Sequence, residues 1–371
     1  LKLNEIVIYL MTFFMLLGAV DTILGNKFGI GEKFKEGIMT MGSLVLAMVG
    51  LLSLTPVLAA KLSPLITPVY TFLGADPSLF AATFISCDMG GYSFARQIAA
   101  SPQAVGFCGL IISSMMGCTL SFTLPAGLGI IAKKDEKYFA MGVLSGVTTI
   151  PLGCAIGGIA AGYSFHLIIF NLLPIMVFSS FLIVGLIRFP HKLLKAFSHF
   201  SKFILSLSII GLAAAIVENL VHITLIPGLA PLDESIKLVG TIAVILSGSY
   251  PMVFVLQKLL RKPLAYLGGL LGIEDFAAAG FLASLASNLP MFNMLKQMDN
   301  RGKILNCAFG VSGAFIFGGQ FAFIMSVDST LLMPVILAKL TAGISAVVVA
   351  VLILRPRYSY KEEPLVEKLS A

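Results

Sequence analysis

The sequence reads as an all-α polytopic membrane protein with about nine full spans, two hairpin or broken-helix regions and an expected inverted repeat. Three observations carry this reading. Hydrophobic residues fill 58% of the 371 positions, charged residues only 12%, and the mean hydropathy is +0.99; a soluble domain would carry about a quarter charged residues. Apolar runs of about 20 residues, the length that crosses a hydrocarbon core, recur from end to end. The lysines and arginines fall mainly in the short segments between those runs, as in membrane proteins oriented by their loop charges. The net charge of +7 is therefore loop charge and predicts no nucleic-acid partner.

Taken in order, the expected spans cover 4–24, 37–60, 104–132, 138–163, 166–188, 203–226, 236–257, 304–325 and 330–354. The first is about as long as a span, lacks a basic start and has no small-residue cleavage pattern after it, so it reads as a span rather than a signal peptide. Regions 63–95 and 263–295 resist assignment. Each has a proline just after a basic residue (Lys61 then Pro64; Lys262 then Pro263) and a glycine-acidic interruption, Gly74-Ala75-Asp76-Pro77 and Gly272-Ile273-Glu274-Asp275. Each is too long for one span and barely long enough for two.

The two regions also resemble each other. At an offset of 200, Asp88 falls over Asn288, Gly90-Gly91 over Pro290-Met291, Tyr92 over Phe292, Arg96 over Lys296 and Gln97 over Gln297. With two spans on either side of each, the chain divides into a first membrane repeat (1–163), a linking span with a cytoplasmic basic loop (164–202), a second repeat (203–354) and a cytoplasmic tail (355–371). Internal repeats of this kind are common in transporters.

Charge placement chooses the topology. If each region crosses once, basic residues divide 12 against 12, with Lys339 set aside inside a span. If each region enters and leaves on one side, the division becomes 20 inside against 4 outside, the bias expected of loops facing the cytoplasm. This arrangement puts the N-terminus outside and the C-terminus in the cytoplasm. It also inverts the second repeat, so the two hairpin regions enter from opposite faces.

Asp88 is the residue with the most to explain. A carboxylate at the bilayer centre costs about 2.5–3.5 kcal/mol on insertion scales, and intramembrane charges mark functional sites by default. Gly90 and Gly91 after it, and Pro290 after Asn288, are expected helix breaks. Asp88 is the candidate anionic anchor of a substrate site; a structural carboxylate capping a broken helix is the alternative. Tyr92 and Phe292 offer ring faces to a cation, although core packing explains aromatics equally well. Gln97, Asn293 and Gln320 supply neutral hydrogen-bonding groups. Together with a carboxylate they favour a small hydroxylated amine over an anion.

Lys339 lies within the last span and needs a carboxylate or a wet cavity. Its role is expected to be coupling or counter-charge, with Asp88 the first partner to consider and Glu218 or Asp328 behind it. Gly142, Gly146, Gly153 and Gly157 form a small-residue face for close helix approach, either inside the monomer or toward a second copy. The five cysteines have no CxxC spacing and read as packing residues. No HExxH, GxSxG, Walker loop or paired histidines occur, so neither an enzyme nor an autonomous ATP-driven pump is indicated, and no metal or cofactor is expected.

Several stretches are similar to the ethanolamine-utilisation permease family. They are Met39-Thr-Met-Gly-Ser-Leu-Val-Leu-Ala-Met-Val-Gly50, Cys87-Asp-Met-Gly-Gly91, Gly248-Ser-Tyr-Pro-Met252, and Asn288-Leu-Pro-Met-Phe292 continuing through Lys296-Gln-Met-Asp-Asn-Arg-Gly-Lys303 to Asn306-Cys-Ala-Phe309. The resemblance covers nearly the whole chain, which is shorter than the family pattern in the 25–36 loop and the 163–166 turn. It implies a bacterial inner-membrane protein that passes ethanolamine into the cell, and it hands over no set of binding residues. The expected function is a permease for ethanolamine as its ammonium form, working by alternating access. A channel-like facilitator or a non-transporting membrane scaffold are the alternatives.

Overall fold

The computed structural model describes residues 3–354, apart from the side chains of Leu3, Asn4 and Arg261. The basic tail at 355–371 and Lys2, both used in the charge census, lie outside the described residues. Among the described residues every regular element is helical. Eight helices are long and apolar enough to cross a membrane. They are α1 (Leu3–Ile23), α2 (Ile30–Phe72), α5 (Pro102–Ile130), α6 (Lys133–Ala160), α7 (Phe165–Arg188), α8 (Pro190–Val221), α9 (Leu232–Leu271) and α14 (Leu332–Leu354). Between them lie short pieces: α3 (Leu79–Phe84), α4 (Gly91–Ile98), α10 (Asp275–Ala286), α11 (Asn288–Met294), α12 (Asn300–Ser312) and α13 (Gly319–Val327).

The prolines expected to open the hairpin regions do not do so. Pro56, Pro64 and Pro68 lie inside α2, and Pro251 and Pro263 inside α9. Proline in a membrane helix is tolerated where neighbouring groups satisfy the freed carbonyls. The helices stop instead at the glycine-acidic interruptions. Gly74 and Gly272 take positive φ (71° and 67°), the left-handed geometry that glycine adopts without steric cost at a helix end.

Each interrupted segment closes on itself. Asp76 Oδ2 accepts the Ala100 N–H at 3.0 Å, so α3 and α4 begin and end at one place. Arg301 Nε donates to the Leu271 carbonyl at 2.6 Å, and the Glu274 N–H to Asp299 Oδ1 at 3.3 Å, which closes α10 and α11 in the same way. Helices of 6, 8, 12 and 7 residues are also far below the roughly 20 needed to span a bilayer. Each segment is thus a hairpin re-entrant with respect to the helix bundle, entering and leaving it at one end.

Their mouths lie at opposite ends of α6. At its start, Lys303 beside the second mouth pairs with buried Asp135 at 2.7 Å. At its far end, the first mouth is held by the Asp76 N–H on Asn171 Oδ1 in α7 at 2.9 Å. There too, the turn before α7 places Tyr163 against Gly106 and Leu331. The chain therefore returns from the second mouth to the Leu331 end through α12 and α13. The continuous span expected at 304–325 is thus a correction: it is interrupted at 313–318. The cause is tertiary: the Phe315 and Phe317 N–H groups bond the Ser284 and Leu285 carbonyls at the end of α10. Gly318 fits there only without a side chain, since a Cβ would stand 1.9 Å from the Ala286 carbonyl oxygen.

The small-residue face of α6 is filled within the monomer. Added Cβ atoms at Gly142 and Gly146 would collide with Cys307 and Val311 of α12, and at Gly153 and Gly157 with α14 around Ala338 and Ala342. Close backbone approach at small residues is how membrane helices gain packing contacts without a hydrophobic driving force. The close approach at Gly142, Gly146, Gly153 and Gly157 is thus made inside the monomer. A second such crossing joins α2 to α8, where Gly50 meets the Ser208 carbonyl and Gly211 the Gly50 carbonyl.

Candidate functional site

The re-entrant tips and the 313–318 interruption meet around α5. This helix is π-helical over Phe107–Gly117 and again over Thr119–Thr123, and the first of these stretches is buried throughout. π-Helical stretches inside α-helices are frequent at functional sites. Its hydroxyls satisfy the broken backbones on both sides. Ser113 Oγ donates to the Ile85 carbonyl at 2.6 Å, and Ser121 Oγ accepts the Ser86 N–H at 3.1 Å. Thr119 Oγ1 donates to the Val311 carbonyl at 3.0 Å, and Thr123 Oγ1 accepts from Asn288 Nδ2 at 3.3 Å. Irregular backbone at membrane depth persists where protein groups cover it in this way.

Asp88 sits in the turn between α3 and α4, half-buried. Ser86 Oγ donates to Asp88 Oδ1 at 2.5 Å, and Gln320 Nε2 donates to Ser86 Oγ at 3.0 Å. Asp88 Oδ2 faces Gly319, 3.9 Å from where a Cβ would stand. Gly319 and Gln320 open α13, so the carboxylate of the first re-entrant tip lies at a helix N-terminus that follows the later interruption. Helix N-termini carry partial positive charge and favour anions. Gln320 is 2% exposed, and its Oε1 is buried without a protein partner.

Gly90 and Gly91 form the expected break, each for its own reason. Gly90 has φ 98°, and a Cβ on Gly91 would lie 2.5 Å from the Ile85 carbonyl oxygen and 2.6 Å from Ser113 Oγ. Pro290 does not form the matching break. The interruption is Ser287, extended at φ −162° with its Oγ accepting the Leu289 N–H. Pro290 falls in the first turn of α11, where a helix does not use the N–H that proline lacks. Asn288, fully buried, donates to the Gly310 carbonyl at 2.8 Å and leaves Oδ1 unpartnered.

The other expected residues divide. Tyr92 packs edge-on against Phe323 with centroids 5.8 Å apart. With Gln97, Arg96 and Glu234 it also lines a cavity of about 390 Å³ at the Leu331 end. Phe292 is buried edge-on against Phe139 of α6, so no aromatic pair faces a shared ligand. Asn293 is exposed and bonds its own helix at the Leu289 carbonyl.

Lys339, 2% exposed, pairs with no carboxylate among the described residues. Its Nζ donates to the Ser114 and Ala314 carbonyls, each at 2.9 Å. The three candidate partners are otherwise engaged: Asp88 with Ser86, Glu218 with Thr224, and Asp328 with the Thr330 N–H and hydroxyl. The reason lies in the interruptions, which free carbonyls near enough to hold an ammonium. Residues absent from the sequence-based expectation are Ser86, Ser113, Ser121 and Thr123. The signal for the last three was the run of hydroxyls through an otherwise apolar span.

Interrupted helices meeting at polar side chains within a bundle of long apolar helices place the molecule among multi-pass membrane proteins. The family follows from comparison: a family model described as "Ethanolamine utilisation protein, EutH" matches residues 3–353, and the chain belongs to that family. It is 50% identical over 351 residues to a protein of Listeria monocytogenes named "Probable ethanolamine permease EutH", covering 95% of this chain and 94% of the relative. A Salmonella typhimurium protein of the same name is 43% identical over 389 residues, with 95% of each chain covered. Bacillus subtilis "Uncharacterized protein YxeR" is 43% identical over 350 residues, 94% of this chain and 95% of the relative. No solved structure matches the chain.

Proposed function

We propose that this protein is a permease that carries ethanolamine into the bacterial cell as its ammonium form, by alternating access between two inverted repeats. The observation that carries this reading is Asp88. A carboxylate at a re-entrant tip, against the start of α13 from the other half, is a membrane-depth cation anchor. In this reading the substrate ammonium binds Asp88 and the hydroxyl donates to Gln320 Oε1, with Ser86 holding the two side chains in register. Asn288 occupies the corresponding tip as a neutral counterpart, and Tyr92 and Gln97 line the approach; Asn293 bonds its own helix and Phe292 packs against α6.

The order of elements supports the repeat. A long helix, a helix ending at a glycine-acidic turn, a re-entrant pair, a crossing and a final helix occur first in α1–α6 and again in α8–α14. The two mouths at opposite ends of α6 agree with inversion, and substrate sites of many transporters lie between such repeats. The basic loops gather at the Asp135 end, which we assign to the cytoplasm, and the N-terminus and the cavity beside Tyr92 fall on the outer side.

The test is uptake of radiolabelled ethanolamine into proteoliposomes by wild type and Asp88→Asn. We expect saturable uptake that falls at least about tenfold in the variant, the scale of losing a hydrogen bond to a charged group. Wild-type uptake by a correctly folded Asp88→Asn protein would remove Asp88 from the site. Flux that never saturates would replace the carrier with a channel.

A further inference from the structure

We infer that Lys339 is a built-in cation, holding the place that a mobile coupling ion takes in other carriers, so that uptake needs no sodium. Transporters with interrupted helices commonly coordinate sodium through unwound backbone carbonyls and the C-terminal ends of half-helices. Both kinds of oxygen are present here. Ala314 lies just past the C-terminal end of α12, inside the 313–318 interruption, and Ser114 lies in the π-helical stretch of α5. Lys339 Nζ is bonded to both carbonyls at 2.9 Å. These two segments also occupy the same place in the order of elements in each half.

Among the described residues no carboxylate lies at ion-pair distance from the ammonium, and the lysine is 2% exposed. A buried charge without water must be held by hydrogen bonds or partners. Here the carbonyl dipoles do that holding, as they would for a bare cation. The tether keeps the amino group at the junction of α5, α14 and the interruption, bonded to both carbonyls, so no ion has to bind there before the substrate does.

The inference rests on the transport reading only for its uptake measurement, and a stability measurement stands apart from it. Lys339→Ala removes the ammonium and leaves the carbonyls facing a space the size of the lost side chain. Purified Lys339→Ala is expected to melt at lower temperature than wild type and to recover on adding sodium or methylammonium, while tetramethylammonium, which cannot donate a hydrogen bond, restores nothing. Wild type should show no such response. A folded variant indifferent to sodium and methylammonium would overturn the assignment.

In proteoliposomes, wild-type uptake should be unchanged when sodium is replaced by potassium, and Lys339→Ala uptake should rise at least about tenfold with sodium or methylammonium, the scale of a charge-assisted hydrogen bond. Should Lys339→Ala fail to fold, the wild-type measurement decides: a sodium requirement overturns the inference, and sodium independence together with a folded, active Lys339→Arg supports it. Absence of any ethanolamine uptake by wild type, with methylammonium still rescuing the variant's stability, would reject the permease reading alone.

Discussion

Asp88 and Gln320 are linked through one hydroxyl, and that link makes Ser86 testable. Ser86 donates to the carboxylate and accepts from the amide. Ser86→Ala leaves the charge but releases both partners, so half-saturation for ethanolamine should rise about threefold to tenfold, the scale of one hydrogen bond, with Asp88 still required. Steady-state uptake against concentration checks this, and unchanged half-saturation would place the chain of hydrogen bonds outside recognition. Gly91 gives a steric test at the same tip. A Cβ would meet the Ile85 carbonyl and Ser113 Oγ, so Gly91→Ala should destabilise the protein by about 1–3 kcal/mol, the cost of overpacking, measured as a fall in melting temperature.

The interrupted helices depend on one another more than on their own propensities. α3 and α4 are too short to stand alone, and their backbone ends are satisfied by hydroxyls of α5. At the mouth of the other segment the Lys303–Asp135 pair is nearly dry, with side chains 9% and 3% exposed, and the ammonium also lies 5.4 Å from the Tyr138 ring centroid. Removing one partner leaves a buried charge alone. Lys303→Met is therefore expected to cost about 3–5 kcal/mol, and Lys303→Met with Asp135→Leu to recover most of it. Thermal denaturation in detergent distinguishes the two, and equal loss in the double variant would show that the cost does not come from an unpaired Asp135. Lys303 therefore forms a structural pair, whereas the charge census treated it as loop charge.

Across the whole molecule, the two re-entrant mouths make topology measurable. Single cysteines at positions 96 and 296, both exposed, should react with a membrane-impermeant thiol reagent from opposite sides, because the five native cysteines are buried. Labelling of both from one side would exclude the inverted arrangement.

Much of this was legible in the sequence. Composition and run length fix an apolar, many-times-crossing helical chain, because every span must satisfy its backbone internally and present hydrocarbon outward. The glycine-acidic interruptions marked where α2 and α9 stop, and Asp88 stood out because a charge in that solvent demands a reason. Other features depended on partners far along the chain. Gly318 interrupts a span because residues 284–286 lie against it. The glycine face of α6 is covered because α12 and α14 fill it. Lys339 finds carbonyls rather than a carboxylate because the π-helical stretch of α5 and the 313–318 interruption converge on it. Local pattern therefore decided which segments enter the membrane and where the chain must bend. Close packing among segments some 200 residues apart decided which polar atoms meet.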